Sequence, residues 1–173
     1  MGLRGSGKTT LGEKLAARYR LRFVDLDRRT PGLLGLRDVA EAWAKYGEAA
    51  FREAELRALR QVIAEDPEIL ALGGGTPTTP EDEGVVRGLK SAVPHVSTVV
   101  YLRAPAVELQ ERLRVSGTSN RPSLTGCDPV EEVPRVLAAR DPLYLALADE
   151  VVEVGALSTE AALTALDGIL QWA

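Results

Sequence analysis

Residues 2–9 read GLRGSGKT and match the pattern G-x-x-x-x-G-K-[ST] without a mismatch. Glycines let a backbone turn tightly and bring its N–H groups close to a phosphate. Residues 8–19 (KTTLGEKLAARY) repeat a large apolar or aromatic side chain at every fourth position and predict a helix, whose positive N-terminal end would face the same anion. We therefore predict a phosphate-binding loop, called the phosphate loop below, at residues 2–9. A chance glycine turn is disfavoured because the helix begins where the motif requires it.

The phosphate loop also carries the groups that ATP chemistry needs. The Lys8 side chain can reach the β- and γ-phosphates, and the Thr9 hydroxyl can ligate Mg²⁺. The residues that we expect to contact the nucleotide here are Gly5, Ser6, Gly7, Lys8, Thr9 and Thr10. The motif therefore predicts that ATP binds at this loop with Mg²⁺.

Strand and helix patterns alternate beyond the phosphate loop. The sequence predicts strands at residues 22–24, 68–72, 97–102 and 151–154. It predicts helices at residues 8–19, 38–46, 49–64, 80–89, 105–114, 130–148 (interrupted near Pro142) and 158–172. Such alternation is typical of an α/β fold in which helices flank a parallel sheet.

Composition places the chain among ordinary globular proteins. Its 173 residues, 45% of them hydrophobic, fit one domain spanning residues 1–173. The net charge of −4 disfavours a nucleic-acid partner. One cysteine (Cys127) and one histidine (His95) exclude an internal disulfide, a cysteine-built zinc site and a two-histidine metal site, and we expect neither residue to be catalytic. No apolar run is long enough to cross a membrane and no leader opens the chain, so we expect a cytoplasmic protein.

The N-terminus departs from the usual context of a phosphate loop. Such a loop follows a strand, but only Met1 precedes Gly2 here. We interpret this as a missing N-terminal strand, caused by a start site assigned too late or by a shortened chain. The strand would lie in the middle of the sheet. We therefore expect unpaired strand edges, a groove in the core and lower stability.

Two carboxylates follow the first predicted strand, in residues 23–27 (FVDLD). Alternation along a strand would send the side chains of Asp25 and Asp27 to the same face. One could hold Mg²⁺ through water while the other meets a substrate hydroxyl. A solvated turn is the alternative interpretation, because Arg28 and Arg29 follow.

Three further motifs follow, the last of which combines an irregular loop with residues 140–148. Residues 47–55 read GEAAFREAE, with Arg52 and Glu55 on one helix face, where a surface ion pair is the alternative interpretation. Residues 72–75 (LGGG) let a backbone lie against a ligand, although a tight turn has the same pattern. The irregular residues 115–128 predict a mobile loop. Residues 140–148 (RDPLYLALA) complete the set.

Taken in this order, the motifs resemble those of the shikimate kinases, which are small P-loop kinases related in fold to the nucleoside monophosphate kinases. The resemblance covers residues 2 to about 149. It implies a three-layer P-loop fold with a five-stranded sheet, of which this chain shows four strands, and a mobile lid at about residues 115–128. It also implies transfer of the ATP γ-phosphoryl group to the 3-hydroxyl of shikimate, a step in aromatic amino-acid biosynthesis. We expect ATP and shikimate as ligands, and a monomer.

The resemblance assigns roles to the acceptor-side residues. It implies that Asp25 lies near the metal, and that Asp27 bonds the reacting hydroxyl and is the candidate base. It implies that Arg52 and Arg140 bind the shikimate carboxylate. It implies that Glu55 orients Arg52 and also approaches the substrate ring. The glycines that it implies for shikimate contact are Gly73, Gly74 and Gly75.

Two arginines near the lid receive nucleotide roles from the same resemblance. Arg121 would bring positive charge to the transferring phosphoryl group and so act with Lys8 and Asp27 in catalysis. Arg114 matches an arginine that stacks on adenine in some relatives.

Other functions remain as alternatives. A gluconate-type kinase begins with a similar glycine loop, but it usually has histidine and proline where Arg28 and Arg29 follow Asp27 here. A nucleoside monophosphate kinase is disfavoured, because the paired arginines and the three glycines are arranged for a carboxylated ring. A truncated, non-catalytic nucleotide-binding domain is the alternative from another class.

Overall fold

The computed structural model describes residues 1–91, 98–118 and 122–169. Its helices are α1 (Lys8–Tyr19), α2 (Leu26–Leu33), α3 (Val39–Ala64), α4 (Pro80–Ser91), α5 (Ala106–Ser116), α6 (Val133–Leu147) and α7 (Thr159–Ile169). Its strands are β1 (Phe23–Asp25), β2 (Ile69–Ala71), β3 (Val100–Arg103) and β4 (Glu150–Glu153). A short 3₁₀ turn spans Thr76–Thr78. His95, Arg121 and the predicted end of the last helix lie outside the described residues.

The strands pair in parallel, as the alternation of elements predicted. Strand β1 pairs with β2, with Val24 opposite Leu70. Strand β3 pairs with β4, with Leu102 opposite Val152. Connections through helices are required between parallel neighbours, and here they place helices around both pairs. The fold is therefore the predicted α/β arrangement.

A groove of about 140 Å³ lies between the two strand pairs, lined by β2, β3 and α1. Met1 occupies one end of it. Its amino group donates to the Val100 carbonyl at 2.6 Å, and its carbonyl accepts from the Leu102 N–H at 2.9 Å. Met1 therefore extends the sheet beside β3 for a single residue. Among the described residues, no strand joins β2 to β3 across this groove.

The core connects both strand pairs through large buried side chains. Helix α1 contributes Leu11 and Leu15, α3 contributes Phe51 and Leu59, and β3 contributes Tyr101. Each fully buried side chain of this size adds about 1.5–3 kcal/mol of hydrophobic stabilisation. This core fixes the ends of the strands, where the polar residues gather.

Most of the described helix ends lie within one or two residues of the prediction. The predicted helices 38–46 and 49–64 correspond to the two parts of α3, whose backbone is non-helical at Gly47 (φ 79°, ψ 172°), as the predicted break requires. Two larger differences remain. Helix α2 was not predicted, because Pro31 and weak apolar periodicity obscure it, although Asp25 caps it. Helix α6 begins at Val133 rather than at 130 and continues through Pro142. Among the described residues, no helix has both the length and the apolar character needed to cross a membrane.

Candidate active site

A cavity of about 840 Å³ opens where the phosphate loop meets the C-terminal ends of β1 and β2. Most of the predicted site residues line it. They are Gly5, Ser6, Gly7, Lys8, Thr9, Thr10, Asp25, Asp27, Arg52, Gly74, Gly75 and Arg140. Ligands of open parallel sheets bind outside these strand ends. The structure thus brings residues from five separate motifs to one place.

The phosphate loop has the backbone shape that its glycines allow. Gly5 (φ 82°) and Gly7 (φ 91°) adopt left-handed conformations, and a Cβ at Gly5 would lie 3.1 Å from the Leu109 carbonyl oxygen. Gly7 precedes α1 and supplies no side-chain cap. The first N–H groups of α1 therefore remain directed into the cavity, where they suit an anion.

The Lys8 ammonium group lies against the loop. Its Nζ donates to the carbonyl oxygens of Gly2 at 2.8 Å and Leu3 at 3.1 Å. These bonds hold a positive charge beside the N-terminus of α1. A phosphate in the cavity would therefore contact both the Lys8 ammonium group and the N-terminus of α1.

Thr9 and the two aspartates form a small oxygen cluster. The Thr9 hydroxyl donates to Asp25 Oδ2 at 2.5 Å, and the Asp27 N–H donates to Asp25 Oδ1 at 2.9 Å. Strand alternation does not bring the carboxylates together, contrary to the prediction. Asp25 ends β1, whereas Asp27 lies in the first turn of α2, and the cap of that helix joins them.

The Thr9 hydroxyl and the Asp25 carboxylate are the oxygen ligands that Mg²⁺ prefers. Within the described ranges, no group of three or more histidine, cysteine or acidic side chains could hold a metal ion. Protein-bound Mg²⁺ usually keeps several waters and takes phosphate oxygens from its nucleotide. These residues therefore fit a metal that arrives with ATP.

The carboxyl group of Asp27 has a raised pKa. Burial within the cavity wall raises the pKa of Asp27 to about 6, Lys8 opposes this, and Glu55 and Asp25 add to it. The residue surface is nevertheless exposed to the solvent inside the cavity. A carboxyl group with such a pKa can accept a proton near neutral pH.

The buried carboxylate of Glu55 holds the Arg52 guanidinium in place. Its Nη1 lies 2.7 Å from Glu55 Oε2, while the Thr76 hydroxyl donates to Glu55 Oε1 at 2.8 Å. Burial opposes the Arg52 charge, but Glu55 and then Glu48 raise the pKa of Arg52 above its ordinary value. Glu55 is 1% exposed and does not line the cavity. It therefore orients Arg52 rather than meeting a ligand in this structure.

The three glycines permit close approach. A Cβ at Gly73 would lie 2.5 Å from Asp27 Oδ1 and 2.6 Å from Glu55 Oε1. A Cβ at Gly75 would lie 2.3 Å from Arg52 Nη1. All three distances are shorter than the nonbonded contacts that real Cβ atoms make. Gly73 and Gly75 thus make room for the charged groups of the site, whereas a Cβ at Gly74 would make only ordinary contacts.

Substituting Gly75→Ala should weaken acceptor binding without unfolding the protein. The Gly75 backbone (φ −98°) suits alanine, so the new methyl group acts only by displacing the flexible Arg52 guanidinium. We expect the acceptor KM to rise about tenfold and the ATP KM to stay within about twofold in steady-state assays. The matched control is Gly84→Ala in α4, where nothing lies within 4 Å of the new Cβ. Equal effects in the two variants would contradict this account.

Arg140 reaches the site from α6. Its Nη1 donates to the Gly74 carbonyl at 2.9 Å, and the Tyr144 hydroxyl donates to the same oxygen. Tyr144 is fully buried, which raises its pKa to about 12 and keeps it a donor. Its ring packs on Tyr101 with centroids 5.0 Å apart. Arg140 is thus fixed beside the glycine turn.

Sequence reasoning missed several cavity residues, among them Trp43, Phe51 and Arg112. Trp43 and Phe51 line the acceptor side, with the Arg52 guanidinium 5.7 Å from the Trp43 ring. Arg112 lines the nucleotide side and donates to the carbonyl oxygens of Val154 and Gly155. Trp43 and Phe51 looked like core residues of helices, so no local signal marked them.

Of the two lid-side arginines, the structure describes Arg114, which does not line the cavity. Arg114 is exposed and its Nη1 lies 3.3 Å from Glu111 Oε2, whereas Arg112 faces inward from the same helix. Residues two apart on a helix point in nearly opposite directions. Arg121 lies outside the described residues. The nucleotide roles of Arg114 and Arg121 stay predictions.

The fold and the site together define a P-loop phosphotransferase for a small molecule, with a phosphate loop facing a compact acceptor pocket. A family model described as shikimate kinase matches residues 4–169. The chain belongs to the shikimate kinase family.

Individual relatives agree with the family match. The chain is 36% identical over 157 residues to the shikimate kinase of Aromatoleum aromaticum, covering 90% of this chain and 83% of that protein. It is 37% identical over 153 residues to the shikimate kinase of Neisseria gonorrhoeae, covering 88% and 84%. The structure of the shikimate kinase from Acinetobacter baumannii in complex with shikimate matches with a TM-score of 0.82 at 29% identity, covering 98% of this chain and 89% of that one.

Proposed function

We propose that this chain transfers the γ-phosphoryl group of ATP to the 3-hydroxyl of shikimate, which yields ADP and shikimate 3-phosphate. One observation carries the proposal. Asp27 lies in a single cavity with Lys8 on one side and the Glu55-held Arg52 on the other. A carboxylated, hydroxylated acceptor can therefore reach the phosphoryl group. Membership of the shikimate kinase family supports shikimate as that acceptor.

The phosphate loop supplies the nucleotide side. The N–H groups at the start of α1 and the Lys8 ammonium would bind the phosphates and stabilise the charge that develops during transfer. Thr9 and, through water, Asp25 would hold Mg²⁺, which supplies charge neutralisation to the phosphates when bound. ATP is consumed as a co-substrate, so Mg²⁺ is the only cofactor that we propose.

Asp27 serves the acceptor hydroxyl. As the hydroxyl oxygen forms its bond to the γ-phosphorus, the bond from that phosphorus to the β–γ bridging oxygen breaks. The hydroxyl proton passes to the Asp27 carboxylate. A pKa of about 6 leaves this carboxylate ionised at neutral pH yet close enough to that pH to accept a proton.

Arg52 and Arg140 orient the acceptor through its carboxylate. Both line the cavity near the glycine turn, and a guanidinium presents a planar fork that matches a carboxylate. Gly74 and Gly75 line the cavity and leave the backbone of that turn open to the acceptor ring. Gly73 lies behind them against Asp27 and Glu55. Holding the carboxylate at a distance from the reacting hydroxyl keeps that hydroxyl in line with the phosphoryl group.

The remaining elements of the proposal concern the lid and the assembly. Arg121 would add charge at the transferring group and Arg114 would contact adenine when the lid, at about residues 115–128, covers ATP. Lid closure over the site would limit ATP hydrolysis. We also propose that the protein is a monomer. We propose a cytoplasmic location without nucleic-acid or membrane partners.

Substituting Arg52→Ala tests the assignment of the acceptor. A lost charge-assisted hydrogen bond costs about 1.5–3 kcal/mol, so the shikimate KM should rise about ten- to a hundredfold while the ATP KM changes little. Steady-state kinetics with each substrate varied in turn would measure both. The control is Arg60→Ala, which removes an exposed arginine from the same helix. Equal increases in the two KM values would make Arg52 a structural residue.

A second measurement examines the partner of that charge. The methyl ester of shikimate keeps the ring and hydroxyl groups but has no negative charge. The parent protein should discriminate strongly against the ester, and Arg52→Ala should lose most of this discrimination. Unchanged discrimination in the variant would contradict the proposed carboxylate contact.

A further inference from the structure

Glu132 is a buried carboxylate that the proposed reaction does not use. It directly precedes α6, and its side chain is 1% exposed. Burying a carboxylate is costly unless hydrogen bonds and an opposite charge compensate it. The contacts of Glu132 therefore indicate what its position achieves.

One turn of the chain supplies nearly all of these contacts. We call residues 122–126 the docking turn. Glu132 Oε2 accepts from the N–H groups of Leu124 and Thr125, both at 2.9 Å, and from the hydroxyls of Ser123 and Thr125, both at 3.0 Å. Glu132 Oε1 accepts a second bond from the Leu124 N–H at 3.1 Å. Successive N–H groups that converge on an anion form a nest.

The turn and the carboxylate are each shaped for this contact. Ser123 Oγ also accepts from the Gly126 N–H at 2.8 Å, which closes the docking turn. On the other side, Asp128 Oδ1 accepts from the N–H of Val130 at 2.8 Å, and the Asp128 carbonyl accepts from the Glu132 N–H at 3.0 Å. Asp128 thereby fixes the backbone that carries Glu132.

The opposite charge comes from the phosphate loop. Arg4 Nη1 lies 3.2 Å from Glu132 Oε1 and donates to the Pro122 carbonyl at 3.2 Å. The Arg4 side chain is 15% exposed, so solvent screens the pair only weakly. A single guanidinium thus joins the phosphate loop both to the docking turn and to the carboxylate that holds the turn.

This connection forms part of the nucleotide side of the cavity. Arg4, Pro122 and Leu124 all line it, next to Gly5 and Ser6. If the docking turn shifted, the cavity wall and the loop backbone at Arg4 would shift with it. The shape of a phosphate loop determines where its N–H groups point.

We propose that Glu132 is a positioning residue which, through Arg4, fixes the docking turn against the phosphate loop and thereby sets the affinity for the nucleotide. The inference deepens the proposed function, since it concerns the nucleotide side of the same site. It is independent of the acceptor, because no contact in the Glu132 network lies on the shikimate side. Glu132 touches no reacting atom.

The test measures MgADP binding by calorimetry, without acceptor. Glu132→Gln keeps the size but presents an amide N–H₂ group to the N–H donors of the nest. Arg4→Met removes the guanidinium and keeps an apolar side chain of similar reach. We expect each variant to raise the MgADP Kd at least about fivefold and the ATP KM similarly, with the shikimate KM within about twofold. The matched control is Glu131→Gln, an exposed neighbour with the same loss of charge.

The double variant distinguishes positioning from general destabilisation. Because both residues act through one connection, Arg4→Met combined with Glu132→Gln should raise the Kd little beyond the larger single effect. Multiplied single effects, or a Kd within about twofold of the parent in folded variants, would overturn the proposal. So would equal increases in the ATP and shikimate KM values.

Two safeguards keep the test decisive. Circular dichroism shows whether Glu132→Gln folds. If it does not, the MgADP Kd of Arg4→Met is the test, because that variant leaves the nest on Glu132 intact. An unchanged Kd in Arg4→Met would then refute the proposal. The binding measurement needs no shikimate. Failure of shikimate as acceptor would therefore leave this result interpretable, and the two proposals fail separately.

Discussion

Substituting Lys8→Ala should reduce turnover about a thousandfold or more, because it removes the positive charge nearest the phosphates in the cavity. The charge lies on the phosphate loop, where Nζ donates to the Gly2 and Leu3 carbonyls. The variant should also bind MgATP more weakly, since Lys8 would contact the bound phosphates before transfer as well as during it. ADP release at saturating substrates and nucleotide calorimetry would measure the two effects.

The control for this prediction is Lys14→Ala, which removes an exposed lysine from the same helix. It should leave kcat near the parent value. Thermal unfolding would show that both variants fold. A folded Lys8→Ala protein that retains more than about a tenth of the parent kcat would contradict the assignment of the phosphate loop.

Substituting Asp27→Asn should lower kcat about a hundred- to ten-thousandfold, the range expected for loss of a general base. The amide keeps the size of the carboxyl group but cannot accept the hydroxyl proton. Nucleotide affinity should change little, because Thr9 and Asp25 remain in place. Unchanged kcat would remove Asp27 from the mechanism.

The pH dependence of the parent protein follows from the same group. Because the pKa of Asp27 is about 6, kcat/KM should fall as the pH drops through about 6 and the carboxylate becomes protonated. Asp27→Asn should lack this acid limb. The pH range 5 to 7 extends about one unit on either side of the expected midpoint. A parent protein whose kcat/KM does not change over this range would contradict Asp27 as the base.

The contribution of Asp27 to stability changes with pH in the opposite direction to its contribution to kcat/KM. A carboxyl group whose pKa is raised in the fold favours folding fully below its ordinary value of 3.8, and this contribution is lost as the pH rises through about 6. The ionised group therefore opposes folding slightly at neutral pH, and solvent in the cavity screens the effect. We expect Asp27→Asn to have a Tm at pH 8 equal to or slightly above that of the parent.

Local motifs predicted the parts of the site that depend on nearby residues. The phosphate loop was predicted in full because its glycines and the start of α1 are consecutive in the chain. Glu55 was correctly paired with Arg52, since residues three apart share a helix face. The family match agrees with shikimate kinase rather than with the gluconate-type alternative.

Other features required three dimensions. The contact between Asp25 and Asp27 arises because Asp25 caps α2. That helix was not predicted, since its sequence has no strong apolar periodicity. The contact of Thr76 with Glu55 spans 21 residues and depends on the packing of the 3₁₀ turn Thr76–Thr78 against α3. Glu132 sits in a sequence of charged residues that looks like an ordinary helix start. The groups that compensate its burial are the docking turn and Arg4, and Arg4 lies near the other end of the sequence, in the phosphate loop.

The single measurement that tests the central claim most directly is ADP release from MgATP by this chain, with and without shikimate, followed by phosphorus NMR of the product. We predict strong stimulation by shikimate, one ADP for each acceptor consumed, and a phosphate ester at the 3-hydroxyl. A protein that binds MgADP normally yet releases ADP at the same rate with and without shikimate would contradict the account.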